Sequence, residues 1–330
     1  DDQDPIVCCT DCEIEEKSYV TFSLFIVVGL DTFVHCFFFT ECLEYFQQLP
    51  YPCRGHGNIK VNKHWKEDKK CHTVSLEKYL PVGGRKARRW EFPHMALLGY
   101  GEDQDTAQWL CGGSIISERY ILTAAHCSSA QSLGPIRYAA LGLLKRTDPK
   151  HLWNIYDIKR IVAHPEYKSP IKYHDIALLE TETEITFSKS ILPSCLDSGK
   201  VPKHSISIQA AGWGRLGHRK DLADNLEVVQ EFKQTECASI YGPHRHLQHG
   251  YNHTTQMCCG SHHQIVDTCE GDSGGPLQTN SHKCLYFVVG VTSYGKDCGI
   301  LGSAGMYTRV SHYVPWIESI VWPNEVLIVD

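Results

Sequence analysis

Short apolar runs separated by polar turn residues dominate the chain beyond about residue 80, and this pattern predicts strands. Helical spacing of apolar residues is scarce and is clearest at 310–322. The apolar face there consists of Val310, Val314, Ile317 and Ile320. We therefore expect a mostly antiparallel β-protein with a helix near its end. The best strand candidates are 95–100, 120–123, 155–162, 176–179, 226–232 and 285–291.

The segment between Tyr19 and Thr40 is apolar over about the length needed to cross a bilayer. It is interrupted by Asp31 and His35, and a carboxylate near the bilayer centre is costly. The residues before it are acidic, whereas a cytoplasmic flank is usually basic. We therefore expect no membrane span, and a membrane-anchored protein is the alternative interpretation.

A polar segment at 47–78 is rich in Pro, Gly, Asn, His and Lys and has no sustained apolar period, as is typical of a linker. It predicts a domain boundary near residue 80. The chain has 330 residues, about twice the commonest domain size, which suits two domains or a double-lobed domain with an extension. We divide it into an N-terminal region at 1–80 and a larger domain at 81–330.

The charge of the chain excludes one class of partner. It has 32 basic and 38 acidic side chains, so the net charge is −6. The first twenty residues account for this value, with seven acids against Lys17. The remainder is neutral and lacks the basic field of a general nucleic-acid-binding protein. We therefore expect no nucleic-acid partner.

Sixteen cysteines are scattered along the chain, mostly singly, which is typical of a disulfide framework in an oxidising compartment. Zinc is the alternative for Cys9 and Cys12, which form one CxxC pair, but no second pair follows at zinc-ribbon spacing. The sequence opens without methionine or a basic leader, which we interpret as a mature or truncated form. We expect a secreted, extracellular protein.

Three short motifs contain the residue types needed for nucleophilic catalysis by serine. They are LTAAHC at 122–127, DIALL at 175–179 and GDSGGP at 271–276. They occur in this order together with Cys-Gly-Gly-Ser at 111–114 and Gly-Trp-Gly at 212–214. The set resembles the trypsin/chymotrypsin-like serine proteases over about 81–322.

The resemblance implies two packed antiparallel six-stranded β-barrels with a C-terminal helix, an all-β fold, and a disulfide-linked N-terminal pro-region. It assigns Ser273 as the nucleophile, His126 as the general base and Asp175 as the acid that orients the imidazole. A serine hydroxyl is a poor nucleophile near neutral pH until an imidazole takes its proton. The backbone N–H groups of Gly271 and Ser273 are the implied oxyanion hole.

The same resemblance implies substrate specificity. Asp267, six residues before the nucleophile, matches the base of the primary pocket, where a carboxylate selects Arg or Lys. Gly295 and Gly305 match the pocket walls. Ser293 and Tyr294 belong with Gly295 to the segment that pairs with the substrate backbone as an added strand. The implied function is an endopeptidase that cleaves protein substrates after Arg or Lys.

Disulfide pairing is likewise taken from the resemblance. Each implied bridge braces a functional loop or, in one case, keeps the pro-region attached to the protease domain. The implied pairs are Cys111–Cys127, Cys237–Cys258, Cys269–Cys298 and Cys71–Cys195. The sequence leaves open the pairing of Cys8, Cys9, Cys12, Cys36, Cys42, Cys53, Cys259 and Cys284, among which Cys42 and Cys284 are one candidate pair.

The start of the chain, Pro5-Ile-Val-Cys8-Cys9, resembles the end of a clip domain, although the cysteines after Cys12 do not match a complete one. With Glu-Phe-Pro-His-Met at 91–95, this resembles arthropod clip-domain proteases, which are secreted zymogens of innate-immune cascades. The resemblance implies other zymogens as substrates, an upstream activating protease and serpin-type inhibitors. It implies no cofactor.

The expected activation site departs from the family pattern. Zymogens of the family are cut before Ile-Val-Gly-Gly, and the new α-amino group pairs with the acid before the nucleophile, here Asp272. This chain reads Leu80-Pro81-Val-Gly-Gly, and a proline ring fixes φ and removes an N–H donor. The alternative function is therefore a poorly activatable protease-like regulatory or binding protein.

Histidines crowd the segment at 244–263, but no carboxylate or cysteine partners accompany them at ligand spacing, so we predict no metal. Asn252 begins an Asn-His-Thr sequon and is expected to be glycosylated. The loop at 139–153 has Asp148 as its single carboxylate, so no calcium site is expected. The histidines are His244, His246, His249, His253, His262 and His263.

Overall fold

The computed structural model of the chain describes residues 84–188, 190–199, 208–215, 221–230, 233–234, 237–260, 268–280, 286–295 and 304–323. The apolar segment 19–40, the linker and the Leu80–Pro81 bond lie outside these ranges. No helix within them is long and apolar enough to span a membrane.

Strands form most of the described structure, in agreement with the apolar pattern. Helix is limited, within the described ranges, to Cys237–Ile240, Val310–Val321 and the 3₁₀ turns Ala125–Ser128 and Lys150–Leu152. The strands are β1 (Gly84–Lys86), β2 (Met95–Tyr100), β3 (Gln108–Ile115), β4 (Tyr120–Thr123), β5 (Ser129–Ala130), β6 (Gly134–Leu141), β7 (Asn154–Ala163), β8 (Ala177–Thr181), β9 (Cys195–Leu196), β10 (Ile208–Gly212), β11 (Glu227–Gln230), β12 (Lys233–Gln234), β13 (Gln256–Gly260), β14 (Pro276–Asn280), β15 (Tyr286–Tyr294) and β16 (Ala304–Arg309).

The first sheet closes on itself as a barrel. Its strands follow the order β2-β3-β4-β8-β7-β6-β5, and β2 also pairs with β6. Leu98 shows the closure, because it lies opposite Cys111 of β3 on one side and Ala139 of β6 on the other. Six antiparallel strands therefore enclose one core, and β5 extends the edge of β6.

The second sheet follows the order β1-β11-β10-β14-β15-β16-β13-β12, with β9 pairing in parallel on β15 and all other pairs antiparallel. Strands β11 and β12 lie near opposite ends of this order but are separated in the chain by residues 231–232 alone. The chain itself thus brings the two ends of the sheet together. This is the second barrel.

The core of the first barrel extends to the last helix. Leu98 and Leu179 are fully buried in one cluster, and each such side chain stabilises the fold by about 1.5–3 kcal/mol. The helix Val310–Val321 adds its predicted apolar face to the same cluster, which confirms that prediction. Its contributing residues are Val310, Val314, Ile317 and, at the margin, Ile320.

A second apolar cluster contains residues of both sheets and forms the junction between the barrels. Trp213, just after β10, is 1% exposed and belongs to this cluster with Met95 and Leu97 of β2. Nearby, Nε2 of His94 forms a hydrogen bond with the Gln278 side chain of β14. Burial lowers the pKa of His94 to about 4, so the imidazole is neutral at physiological pH. The junction therefore combines an apolar cluster with a neutral, hydrogen-bonded histidine.

The strand predictions agree with the structure. The candidates 95–100 and 120–123 coincide with β2 and β4, and 155–162 lies within β7. The candidates 176–179, 226–232 and 285–291 overlap β8, β11 and β15. Other strands, including β6, β10, β13 and β14, are not among the candidates. Strands β3 and β16 are also absent, because their sequences QWLCGGSI and AGMYTR lack an apolar alternation bounded by turn residues.

Candidate active site

The expected general base, His126, lies in the 3₁₀ turn that follows β4. A disulfide between Cys111 of β3 and Cys127 braces this turn, as the resemblance implies. The backbone N–H of His126 donates to Oδ1 of Asp175 over 2.8 Å, and its ring Nδ1 lies 2.8 Å from Oδ2. One carboxylate therefore holds both the turn and the imidazole.

Asp175 is a buried carboxylate surrounded by donors. It is 2% exposed, and the Ser293 hydroxyl donates to its Oδ2 in addition to the two groups of His126. Burial by itself raises the pKa of Asp175, but the adjacent imidazole and these hydrogen bonds outweigh burial and hold the pKa below its ordinary value. The carboxylate is therefore ionised at neutral pH.

The ionised Asp175 determines which nitrogen of His126 carries the proton. A carboxylate accepts hydrogen bonds only, so the neutral imidazole has its proton on Nδ1 and its lone pair on Nε2. The His126 side chain is 29% exposed, so a substrate can approach it. A lone pair on an accessible Nε2 is what a general base requires.

The expected nucleophile, Ser273, lies in a loop held by both barrels. Its carbonyl oxygen accepts from the N–H of Gly112 in β3 over 2.7 Å. The N–H of Gly274 donates to the carbonyl oxygen of Thr292 in β15 over 2.8 Å. The next residue of β15, Ser293, is the one that donates to the catalytic acid. One strand therefore holds both the nucleophile loop and the acid.

This loop approaches the turn of His126 more closely than a side chain would allow. Gly274 has φ of 77°, and a Cβ there would lie 2.2 Å from Oγ1 of Thr123 and 2.6 Å from the carbonyl oxygen of Gly112. Thr123 ends β4, three residues before His126. Glycine at 274 therefore lets the backbone beside Ser273 pack against the segment that leads to the base.

At position 271, which is expected in the oxyanion hole, both the backbone conformation and the surrounding atoms require glycine. Its φ of 98° is rare for other residues, and a Cβ there would lie 2.8 Å from Leu222 and 3.0 Å from Gly214. Among the described residues, the N–H groups of Gly271 and Ser273 have no acceptor.

Asp272, next to the nucleophile, is partly buried and has no cationic partner among the described residues. Its Oδ1 accepts from the N–H of Gly214 over 2.7 Å, and its Oδ2 from the N–H of Cys269 over 2.9 Å. A Cβ at Gly212 or Gly214 would lie 2.0 or 2.4 Å from carboxylate atoms, so both glycines make room for it. Burial raises the pKa of Asp272 to about 6, because these two bonds offset desolvation only in part.

Two expected walls of the substrate pocket are described. A Cβ at Gly295 would lie 4.0 Å from Cα of Gly305, so the two glycines face each other. A Cβ at Gly305 would lie 2.8 Å from the Tyr307 hydroxyl, which forms a 3.0 Å hydrogen bond with Oγ1 of Thr268. Asp267, which precedes Thr268, lies outside the described residues.

The expected substrate-pairing segment ends β15. Its Tyr294 ring packs edge-on against Tyr241 with centroids 5.6 Å apart, and Nζ of Lys172 lies 5.2 Å from the Tyr294 centroid. Burial raises the pKa of Tyr294 well above its usual value. The tyrosine is therefore a neutral, packed part of the cleft wall.

The structure describes some of the expected disulfides. Cys237 and Cys258 are bonded to each other. Cys195 and Cys269 are also disulfide-bonded, but their expected partners Cys71 and Cys298 lie outside the described residues. The described free cysteine is Cys259, which is buried, and burial raises the pKa of its thiol to about 12.

The other predicted sites are placed only in part. Asn252 is exposed, and its side chain accepts the N–H of Thr254, so glycosylation there stays a prediction. Leu80 and Pro81 lie outside the described residues. In the histidine-rich loop, Nε of Arg245 lies 2.8 Å from Nε2 of His246.

Three residues support the site although no role was predicted for them from the sequence. The hydroxyl of Thr308 in β16 donates to the carbonyl oxygen of Asp175 over 2.7 Å. Oγ1 of Thr123 donates to the carbonyl oxygen of Gly112 over 2.8 Å, and Gly112 in turn holds the nucleophile loop. Thr123 and Gly112 lie inside quoted motifs, whereas nothing in the sequence around Thr308 signals its role.

Comparisons with known proteins agree with this geometry. A protein-family model described as Trypsin matches residues 81–317. Serine protease snk of Drosophila melanogaster is 40% identical over 256 residues, which cover 74% of this chain and 57% of that protein. CLIP domain-containing serine protease C9 of Anopheles gambiae is 37% identical over 254 residues, which cover 72% of this chain and 67% of that protein.

A third relative, Melanization protease 1 of Drosophila melanogaster, is 34% identical over 267 residues, covering 73% of this chain and 65% of that protein. The chain thus spans little more than half the length of snk. The two-barrel fold and the resemblance to arthropod proteases predicted from the sequence are confirmed. The chain therefore belongs to the trypsin family of serine proteases and carries the trypsin-like domain that it shares with insect relatives.

Proposed function

We propose that this protein is a serine endopeptidase that hydrolyses protein substrates through an acyl-enzyme on Ser273. The observation that carries the proposal is the set of bonds around Asp175. This carboxylate is buried, ionised and aligned with His126, as the base of a serine hydrolase requires.

The residues divide the reaction between them. Nε2 of His126 takes the proton of the Ser273 hydroxyl as that oxygen attacks the scissile carbonyl, and then gives it to the leaving amine. Asp175 stabilises the imidazolium formed in between. The N–H groups of Gly271 and Ser273 stabilise the oxyanion, and a water molecule then releases the acyl group by the same route.

We assign cleavage after Arg or Lys to Asp267. Support comes from Gly295, which faces Gly305, because a Cβ at Gly295 would have no closer neighbour than Cα of Gly305 at 4.0 Å. Asp267 directly precedes Thr268, whose hydroxyl contacts Tyr307 beside Gly305. A carboxylate in a closed pocket is costly until a cationic side chain pairs with it, which is the source of selectivity.

We further propose that residues 1–80 form a pro-region of a secreted zymogen and that cleavage at Leu80–Pro81 activates the domain at 81–330. Asp272 supports this step, since its pKa is raised to about 6 and it has no cation among the described residues. A new α-amino group would supply that positive charge. Insertion of a proline amine is weaker than that of isoleucine, because its ring fixes φ and leaves fewer N–H donors.

The names of two relatives suggest a setting. They are a CLIP domain-containing serine protease and a melanization protease. We propose by analogy an extracellular innate-immune cascade, in which an upstream protease activates this protein, other zymogens are its substrates and serpins inhibit it. The disulfide-bonded Cys195 is the residue through which the pro-region would stay attached, by way of Cys71.

Labelling with a fluorophosphonate tests the proposal. The purified full chain is labelled before and after limited proteolysis, with Ser273→Ala as the control. We expect labelling of Ser273 only after cleavage. If a cut before Pro81 is confirmed by N-terminal sequencing and no label is incorporated, the peptidase proposal is wrong and the regulatory or binding function replaces it.

Substitution of Pro81 tests the activation step itself. We expect Pro81→Ile to raise the labelling rate and kcat/KM of the cleaved protein by about tenfold or more, because an isoleucine amine forms a stronger pair with the partly buried Asp272. Both proteins are to be cut at the same engineered site and quantified by active-site titration. Equal activity of the two would show that Pro81 does not limit activation.

A further inference from the structure

A cluster of three potential metal ligands lies outside the catalytic machinery. It consists of His164, Glu166 and His174, whose nearest ligand atoms all lie within 4.8 Å of one another. His164 follows the end of β7, and His174 precedes β8. Neither the resemblance nor the proposed peptidase mechanism gives these side chains a function.

The separation between two of these ligands is close to that of a metal site. Oε2 of Glu166 lies 3.8 Å from Nδ1 of His174, too far for a hydrogen bond. Two ligands on one tetrahedral zinc ion lie about 3.3 Å apart, given bonds of about 2.0–2.1 Å. The Glu166 side chain is 68% exposed, so it can close this difference without loss of packing.

The two imidazoles are held together by the surrounding structure. Their rings stack with centroids 5.3 Å apart and planes at 13°. The N–H of His164 donates to the carbonyl oxygen of Ile176 over 3.0 Å, which ties the two ends of the loop. The His164 ring packs edge-on against Tyr313 and Trp316 of the last helix, at 5.1 and 5.0 Å. Pre-positioned ligands of this kind reduce the entropy lost on metal binding.

We propose that His164, Glu166 and His174 form a binding site for a divalent transition metal ion, and that Zn²⁺ suits its two imidazoles and one carboxylate best. This donor set with three protein ligands leaves a fourth position for water or another side chain. The proposal differs from the sequence-based expectation of no metal, which considered the loops at 139–153 and 244–263 and the paired cysteines near the start of the chain.

A second group of potential metal ligands among the described residues is not a metal site. It contains Cys111, His126 and Cys127, but the two cysteines are joined in a disulfide and have no thiolate to offer. In the histidine-rich loop, the cationic side chain of Arg245 lies 2.8 Å from Nε2 of His246. In the proposed site, Nδ1 of His174 lies 3.0 Å from the Tyr313 hydroxyl, which carries no charge. The disulfide and the cation therefore favour the site at His164.

The position of His174 links the site to catalysis. It directly precedes Asp175, has φ of 55° and accepts the N–H of Ile176 on its carbonyl oxygen over 2.8 Å. An ion bound to His174 would shift the residue next to the expected catalytic acid. We therefore expect metal binding to lower kcat. This expectation alone rests on the proposed peptidase activity, whereas metal binding does not.

Titration of the full-length Ser273→Ala chain with Zn²⁺ by calorimetry, and with Co²⁺ by visible absorption, tests the site without any turnover. We expect one tight site, with the absorption bands of tetrahedral Co²⁺. His174→Asn and Glu166→Gln should each weaken Zn²⁺ binding at least about tenfold. Asparagine tolerates the positive φ at 174, and Glu166 is exposed, so both variants should fold, as near-UV circular dichroism will show.

The matched control is the double variant His244→Asn/His246→Asn, which should bind Zn²⁺ as the parent does. Absence of a tight site in the parent would overturn the proposal. So would unchanged Zn²⁺ affinity in both His174→Asn and Glu166→Gln, or loss of the site in the double variant, which would place the metal in the loop. In the activated enzyme, bound Zn²⁺ with unchanged kcat would contradict the link to Asp175.

Discussion

Each barrel places one carboxylate at the cleft, and these carboxylates differ in what surrounds them. Asp175, beside the first barrel, has three donors, one of which is the imidazole of His126, and its pKa is lowered. Asp272, in the nucleophile loop of the second barrel, has two backbone donors and no described cation, and its pKa is raised to about 6. Desolvation acts on both carboxylates, but the groups around Asp175 outweigh it and those around Asp272 do not.

This difference separates a completed part of the site from an incomplete one. Since Asp175 is already ionised and aligned, the acid–base pair needs nothing further. Desolvation destabilises the ionised form of Asp272, and a nearby positive charge would offset this effect. We therefore expect activation to act through Asp272 in the second barrel, whereas the acid–base pair beside the first barrel is already in place.

The largest effect should come from removing the charge of Asp175. We expect Asp175→Asn to fold normally and to lower kcat by about 10⁴, because the amide favours the wrong tautomer of His126 and leaves the imidazolium unpaired. Active-site-titrated kcat/KM on an Arg-containing peptide is the measurement. A loss of less than tenfold would show that Asp175 is not the orienting acid.

A smaller effect is expected from removing the charge of Asp272, which should stabilise the folded protein. Its folded pKa of about 6 lies above the ordinary value of 3.8, so the carboxylate destabilises the uncleaved protein increasingly as pH rises through that interval. The difference in free energy of unfolding between Asp272→Asn and the parent should therefore be about 2–3 kcal/mol larger at about pH 8 than at about pH 4, in favour of Asp272→Asn.

The measurement for Asp272 is urea unfolding of the uncleaved Ser273→Ala chain at both pH values, with and without Asp272→Asn. The same substitution should abolish the gain in activity on cleavage when Ser273 is present. A difference in stability that does not change with pH would mean that the native chain already pairs Asp272 with a cation.

A third test removes one donor from Asp175 and leaves its charge. We expect Ser293→Ala to lower kcat about tenfold, because one hydrogen bond to the carboxylate is lost while the bonds from His126 remain. The pH profile of kcat/KM should shift to higher pH, as the pKa of the acid–histidine pair changes. The KM for the substrate should stay unchanged. A change in KM with unchanged kcat would place Ser293 in substrate binding only.

The smallest effect concerns a buried carboxylate away from the cleft. Glu318 of the last helix is 4% exposed, neither of its oxygens has a hydrogen-bond partner among the described residues, and burial raises its pKa to about 7. We expect Glu318→Gln to stabilise the protein by about 1 kcal/mol near pH 8 and by much less near pH 5. Thermal unfolding at both pH values measures it. Destabilisation by the substitution at pH 8 would show that the carboxylate is paired.

Much of the architecture follows from local pattern. The four-residue run at 120–123 and the helical face at 310–322 were predictable because alternation and helical spacing reflect which face of an element is buried. Strand β3 was not, because Cys-Gly-Gly-Ser has no alternation and owes its place in the sheet to neighbours on both sides. Tertiary pairing overrides local propensity there.

The sequence by itself determined the residue types of the site, because each motif is contiguous and its chemistry depends on identity: the imidazole of His126, the hydroxyl of Ser273 and the glycines around it. Only the tertiary structure decided the charge states of Asp175 and Asp272, because desolvation and hydrogen bonding depend on groups distant in the chain. Ser293 lies 118 residues from Asp175, and Gly214 lies 58 residues from Asp272. The cluster of His164, Glu166 and His174 likewise arises from folding, since its ligands are separated by a loop and are fixed by the last helix.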